Sequence, residues 1–127
     1  MTDFRDREMA GKPLSGVLDA FWETGTEGVI WSVAVDGYEG YDSLLCLKDG
    51  DGLKIFGKDG QAVWTGVVRL EWTRNWQPFP RNPQYGQQAV LGYWVHGLQE
   101  DVEPEVWARW FFEALRCEVT PASKVEA

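Results

Sequence analysis

The sequence predicts a mainly β (α+β) fold. We expect a small antiparallel barrel or strongly curved sheet of about six strands, SH3-like, with one C-terminal amphipathic α-helix. Short apolar runs recur between turns rich in glycine and aspartate, and one later segment has helical periodicity. Hydrophobic residues make up 44% of the 127 residues and include 8 tryptophans. This apolar content is enough to fill the core of one domain.

The clearest strand signal lies at residues 29–35, where large apolar side chains alternate with smaller ones. A period of two with β-branched and aromatic residues favours a strand over a helix. Similar runs predict the remaining strands at residues 16–22, 44–47, 53–56, 62–72 and 89–96. Gly66 lies inside one of these runs, where we expect a bulge or sharp bend that helps the sheet to curl.

The helix is predicted at residues 104–116. Pro104 occupies the first helical position, where its missing N–H costs nothing, and Glu105 suits the positive end of the helix dipole. Arg116 would stand in the last turn, where a cation is favoured. The apolar stripe at i, i+3, i+4 and i+7 consists of Trp107, Trp110, Phe111 and Ala114.

The chain length fits a single β-rich domain at residues 13–120. Residues 1–12 mix both charges and predict a flexible N-terminal segment, from which Phe4 could dock on the domain. Residues 121–127 predict a flexible tail. No signal-peptide pattern and no apolar run of membrane-spanning length are present, which predicts a cytoplasmic location.

The net charge of −8 argues against direct nucleic-acid binding, which needs a basic face, and leaves open a basic protein partner. Many of the acids fall in successive predicted turns. These acids are either solvated turn residues or parts of an acidic face. Such a face would compete for a basic, nucleic-acid-binding surface of another protein. The candidate acidic face comprises Asp36, Glu39, Asp42, Asp49, Asp51 and Asp59.

Residues 73–88 stand out because they contain three prolines and no acid in an acidic protein. The prolines predict a long loop, and tryptophan, tyrosine and arginine are frequent interface hot spots. The candidate contact residues are Arg74, Trp76, Phe79, Arg81 and Tyr85. Two alternatives remain: Trp76 and Phe79 plug one end of the barrel, or the loop stacks sugars or bases.

No metal site, cofactor site or catalytic set is predicted. The Asp49–Gly52 turn resembles part of a calcium loop, but Leu53 and Ile55 follow where further oxygen ligands should stand. His96 is the single histidine. The two cysteines, Cys46 and Cys117, lie in apolar runs, and both a disulfide and a thiol–histidine pair remain open.

The leading hypothesis is a non-catalytic protein-interaction module, an accessory or regulatory protein of bacterial, phage or mobile-element origin. Its contacts would be the acidic turns and the aromatic loop, against a basic partner. The alternative is a small-molecule or carbohydrate binder with an aromatic cleft at the end of the barrel. The third hypothesis is an enzyme that uses His96. A homodimer through the helix or through an unpaired strand edge is compatible with the many tryptophans.

Overall fold

The computed structural model describes residues 4–6, 8–23, 28–73, 92–95 and 97–123. In chain order, the elements are β1 (Leu14–Glu23), β2 (Gly28–Val35), a 3-10 turn (Gly40–Ser43), β3 (Leu44–Cys46), β4 (Gly52–Phe56), β5 (Ala62–Val67), β6 (Leu70–Thr73), β7 (Gly92–Val95), α1 (Leu98–Asp101), α2 (Pro104–Phe112) and β8 (Arg116–Thr120). The predicted mainly β fold is therefore confirmed.

The strands form one sheet in the order β5-β4-β8-β1-β2-β7-β6, and β3 pairs with β2. The pairings are antiparallel except for a short parallel contact between β2 and β7, at Val29 and Gly92. Within the described ranges no pairing joins the two ends of this order, β5 and β6. The sheet is open there, so closure into a barrel and an SH3-like arrangement stay predictions. The described strands number eight rather than about six.

The prediction of a helix at residues 104–116 is right about its beginning and wrong about its end. Helix α2 begins at Pro104 and ends at Phe112. Ala114 then adopts a left-handed backbone conformation, with φ 50°. The N–H of Leu115 donates to the carbonyl of Trp110 (3.2 Å), and that of Ala114 donates to Phe111 (3.1 Å). This pair of hydrogen bonds is the helix-ending motif that usually carries glycine at the left-handed position.

The chain after α2 forms a strand, so the helix is not the C-terminal element. Strand β8 lies in the interior of the sheet, between β4 and β1. Cys117 and Val119 are buried, while Arg116 is exposed and Glu118 is half-buried, which is the alternation of a strand. Arg116 thus belongs to β8 and does not complement the helix dipole. Ala114, expected in the apolar stripe, is exposed.

Aromatic side chains of α2 join the helix to the sheet. Trp107, Trp110 and Phe111 are buried, as the stripe predicted. The Trp31 ring of β2 lies 5.6 Å from that of Trp107 and 4.6 Å from that of Phe111, between ring centroids. Such aromatic pairs contribute about 0.5–1.5 kcal/mol each beyond their buried area. This cluster fixes α2 against β2.

Gly66 does not make the bulge or bend that the sequence predicts. Strand β5 continues through it, and the register shift of the β4–β5 pair lies between Ile55 and Phe56. A Cβ atom at Gly66 would stand 2.7 Å from the ring of Trp64. Glycine is therefore needed here because the indole ring of Trp64 lies across the backbone.

Parts of both predicted flexible ends contact the domain. Phe4 is buried in the hydrophobic core, and Pro121 is buried as well. The N–H of Gly11 donates to the carbonyl of Pro121 (3.0 Å), so the two terminal segments also contact each other. In the ranges that the structure describes, no helix has the length and apolar character needed to cross a membrane.

Candidate functional site

Asp51 is the one predicted face residue whose carboxylate is fully buried, with 0% exposure. Its Oδ1 accepts hydrogen bonds from Arg5 Nη1 (2.5 Å) and the N–H of Ala122 (2.8 Å). Its Oδ2 accepts from Arg5 Nη2 (2.6 Å) and the N–H of Lys48 (2.9 Å). Arg5 Nη2 also donates to the carbonyl of Cys46 (2.7 Å). Asp51 therefore does not belong to an exposed acidic face.

The Arg5–Asp51 pair connects parts of the chain that are distant in sequence. It joins the N-terminal segment, the end of β3, the turn before β4 and the segment after β8. Four donor contacts use the carboxylate oxygens, and Arg5 is itself buried. Removing one partner of such a pair leaves an uncompensated buried charge. No local pattern predicts this role, because nothing near Arg5 in the sequence marks it as buried.

Residues 48–52, which we call the Asp51 turn, also contact the link between β5 and β6. The N–H of Leu70 donates to Asp49 Oδ1 (2.6 Å). The N–H of Val68 donates to the carbonyl of Asp51 (2.7 Å), and the N–H of Gly50 donates to the carbonyl of Val68 (2.9 Å). Both carboxylates of this turn thus bind protein N–H groups. Within the described ranges no group of three or more metal-ligating side chains occurs.

Asp59 caps the turn between β4 and β5, where its Oδ1 accepts a hydrogen bond from the N–H of Gln61 (3.0 Å). This turn lies at the opposite end of β4 from Asp49 and Asp51. The six acids of the predicted face are therefore not brought together on one surface.

Asp36 forms an exposed ion pair with Arg116 of β8. Arg116 Nη1 donates to Asp36 Oδ1 (3.0 Å), and Nη2 donates to Oδ2. The hydrogen bonds and the positive charge of Arg116 lower the pKa of Asp36, and the carboxylate in turn raises the pKa of Arg116. Because both side chains are about half exposed, solvent screens this pair.

Residues 36–43, between β2 and β3, form the exposed surface that the remaining acids share. We call them the acid–tyrosine segment. Tyr41 is 70% exposed and Tyr38 is 37% exposed. Glu39 and Asp42 are exposed beside them, and the segment contains no basic residue. Phenol rings and carboxylates together can contact the stems and the charged groups of lysine and arginine side chains.

Several contacts hold the backbone of the acid–tyrosine segment in one shape. Ser43 Oγ donates to the carbonyl of Gly40 (2.7 Å), and the N–H of Asp42 donates to Glu39 (3.2 Å). Tyr38 packs edge-to-face on Phe4, with ring centroids 5.0 Å apart. Gly40 has φ 59°, a conformation that a side chain would strain. The segment thus presents its side chains from an ordered turn.

Cys46 is half-buried and Cys117 is buried. Cys46 and Cys117 are not joined by a disulfide. Burial raises the pKa of Cys117 to about 12, so its thiol stays protonated near neutral pH. His96 lies outside the described residues. The thiol–histidine pair and the enzyme around His96 remain predictions.

The predicted contact loop at residues 73–88 lies outside the described residues except for Thr73, the last residue of β6. Its candidate residues are Arg74, Trp76, Phe79, Arg81 and Tyr85. Their role, and the aromatic cleft at the end of a barrel, stay predictions.

Comparison of the chain with protein-family models, with curated protein sequences and with solved structures returned no match. The functional reading therefore rests on the geometry of the described residues.

Proposed function

We propose that this protein is a non-catalytic protein-interaction module whose acid–tyrosine segment contacts a basic protein partner. The observation that carries this proposal is the 70% exposure of Tyr41 on a turn whose backbone is hydrogen-bonded into one shape. Aromatic residues, tyrosine among them, are enriched in protein–protein interfaces relative to the rest of the surface.

The composition of the segment suits a protein contact. Tyrosine supplies a large, rigid contact area with only two rotatable side-chain bonds, so little conformational entropy is lost on binding. Glu39 follows Tyr38 and Asp42 follows Tyr41 in the sequence. Their carboxylates can accept charge-assisted hydrogen bonds from lysine or arginine. A turn whose shape is fixed before binding adds affinity, because less conformational entropy is lost when the partner binds.

Charge supports a basic partner. The chain carries a net charge of −8, which attracts a positively charged surface over a distance and speeds the encounter. Loop 73–88 would make a second contact through its aromatic side chains. The proposal includes an SH3-like closure of the sheet and an accessory or regulatory role in the cytoplasm of a bacterial, phage or mobile-element host.

The test is a titration of the protein with an arginine-rich peptide, followed by calorimetry and by amide chemical shifts. We expect Tyr41→Ala and Glu39→Gln each to weaken binding, with Tyr41→Ala costing about tenfold or more as an interface hot spot. The largest shifts should fall within residues 36–43.

Two variants provide matched controls. Asp59→Asn removes the same charge as Glu39→Gln from another turn, and Phe112→Ala removes another exposed aromatic ring. Both should leave the affinity nearly unchanged. If Asp59→Asn weakens binding as much as Glu39→Gln does, the peptide responds to net charge alone and the proposed site is wrong.

A further inference from the structure

The ring of Phe4 connects the hydrophobic core to the acid–tyrosine segment. Phe4 is 1% exposed and belongs to the core, and its ring meets that of Tyr38 edge-to-face, with centroids 5.0 Å apart. Aromatic pairs prefer this geometry to a face-to-face arrangement. Tyr38 is 37% exposed, so one part of its ring packs on Phe4 and another part faces solvent. A buried residue thus contacts a side chain of the proposed binding surface.

The backbone contacts of the segment lie on either side of Tyr38. Before it, the N–H of Asp36 donates to the carbonyl of Ser15 in β1 (2.9 Å). After it, hydrogen bonds among residues 39–43 hold the 3-10 turn. Gly37, which directly precedes Tyr38, has φ 90°, and glycine gives the backbone more conformational freedom than any other residue. The aromatic contact therefore restrains Tyr38 at the point where the backbone restrains it least.

Phe4 is itself held by contacts outside the acid–tyrosine segment. Its neighbour Arg5 donates to both carboxylate oxygens of Asp51 and to the carbonyl of Cys46. Burial of the Phe4 ring in the core adds to this anchoring, because exposing a large aromatic side chain to water is unfavourable. Of the two rings in the pair, that of Phe4 is therefore the fixed one.

We propose that Phe4 is a positioning residue for the contact with the basic partner, and that it holds the Tyr38 ring in the orientation in which its exposed part meets that partner. This inference rests on the proposed function and adds Tyr38 to the contact residues. A tyrosine whose ring is already fixed loses less conformational entropy on binding, which adds affinity. Phe4 is buried and does not touch the partner.

The first test uses the protein without a peptide. Phe4→Leu keeps an apolar side chain in the core but removes the ring that contacts Tyr38. We expect the NMR order parameters at Tyr38 to fall, because they report its fast motion in the folded state. Phe111→Leu is the matched control, since it also replaces a buried phenylalanine of the core, one that packs on Trp31. It should leave the order parameters at Tyr38 as they are in the parent.

The second test is a double-mutant cycle on binding of the arginine-rich peptide. Phe4→Leu should weaken binding by about two- to tenfold, the range that corresponds to the free energy of one aromatic pair. Tyr38→Leu should weaken it as well. Because Phe4 acts through Tyr38, the double variant should bind no more weakly than Tyr38→Leu alone. Phe111→Leu should bind like the parent.

The two tests separate failure of this inference from failure of the proposed function. A parent chain that does not bind the peptide overturns the proposed function, whatever the order parameters at Tyr38. Order parameters at Tyr38 that are the same in Phe4→Leu and in the parent overturn the positioning role of Phe4. Losses of affinity that add in the double variant also overturn it, because Phe4 would then act without Tyr38.

Discussion

The Asp51 turn and the acid–tyrosine segment are both rich in acidic residues and glycine, and the fold uses their acids differently. In the Asp51 turn, protein donors occupy both carboxylates. In the acid–tyrosine segment, Asp36 binds Arg116 at the surface, and Tyr41, Glu39 and Asp42 are exposed. Acidic, glycine-rich composition therefore does not separate a structural turn from a recognition surface. For Asp51, burial depends on the position of a distant cation, Arg5.

The two regions meet at the N-terminal segment. Arg5 binds Asp51, and its neighbour Phe4 packs on Tyr38. One dipeptide therefore holds the buried turn through charge and the exposed segment through an aromatic contact. Phe4 and Arg5 thus pack against the domain, while the flexibility predicted for residues 1–12 as a whole stays a prediction.

The largest effect is expected for Asp51→Asn. The substitution keeps the size of the side chain but leaves the buried Arg5 guanidinium without its counter-ion. The free energy of unfolding should fall by about 3–5 kcal/mol. Urea denaturation of the parent and the variant measures this difference.

Asp59→Asn is the control for that experiment, because its amide oxygen can still accept the hydrogen bond from Gln61. A change within about 0.5 kcal/mol is expected for this exposed residue. A similarly small loss for Asp51→Asn would mean that the buried pair contributes little to stability.

A smaller effect is expected at the Asp36–Arg116 pair, and it depends on pH. Because Arg116 lowers the pKa of Asp36 in the folded protein, the pair stabilises the fold above the ordinary carboxyl pKa of 3.8. This contribution is lost as the pH falls through the lowered folded pKa. Asp36→Asn lacks it at every pH. The stability difference between parent and variant should therefore shrink in acid below 3.8, as measured by denaturation across pH. A difference that grows in acid would contradict the pair.

Much of the fold follows from local patterns in the sequence. The alternation at residues 29–35 predicts β2, and Pro104 with the aromatic stripe predicts the beginning and the buried face of α2. The end of α2 was missed because Ala114 adopts the left-handed conformation without being glycine. Leu115 continues the apolar spacing of the helix. The backbone, however, has already left the helix at this point and leads into strand β8.

The candidate site was only partly predictable. Exposure of Asp36, Glu39, Asp42, Asp49 and Asp59 agrees with their turn chemistry. Burial of Asp51 depends on Arg5, which lies 46 residues away, and on the N–H of Ala122, 71 residues away. Contacts over such separations leave no periodic signal in a single sequence. The exposure of Tyr38 and Tyr41 likewise depends on how the turn between β2 and β3 is held.

The Asp51 turn is proposed to stabilise the fold and the acid–tyrosine segment to bind a partner. The most direct test of these two roles compares two variants, each lacking one negative charge, in two assays. We predict that Asp51→Asn lowers the free energy of unfolding and leaves the affinity for the arginine-rich peptide unchanged, when binding is measured where the variant is fully folded. We predict that Glu39→Gln weakens binding and leaves the unfolding free energy unchanged. If both variants change both quantities to the same extent, the acids of the two regions act through net charge, and the account is contradicted.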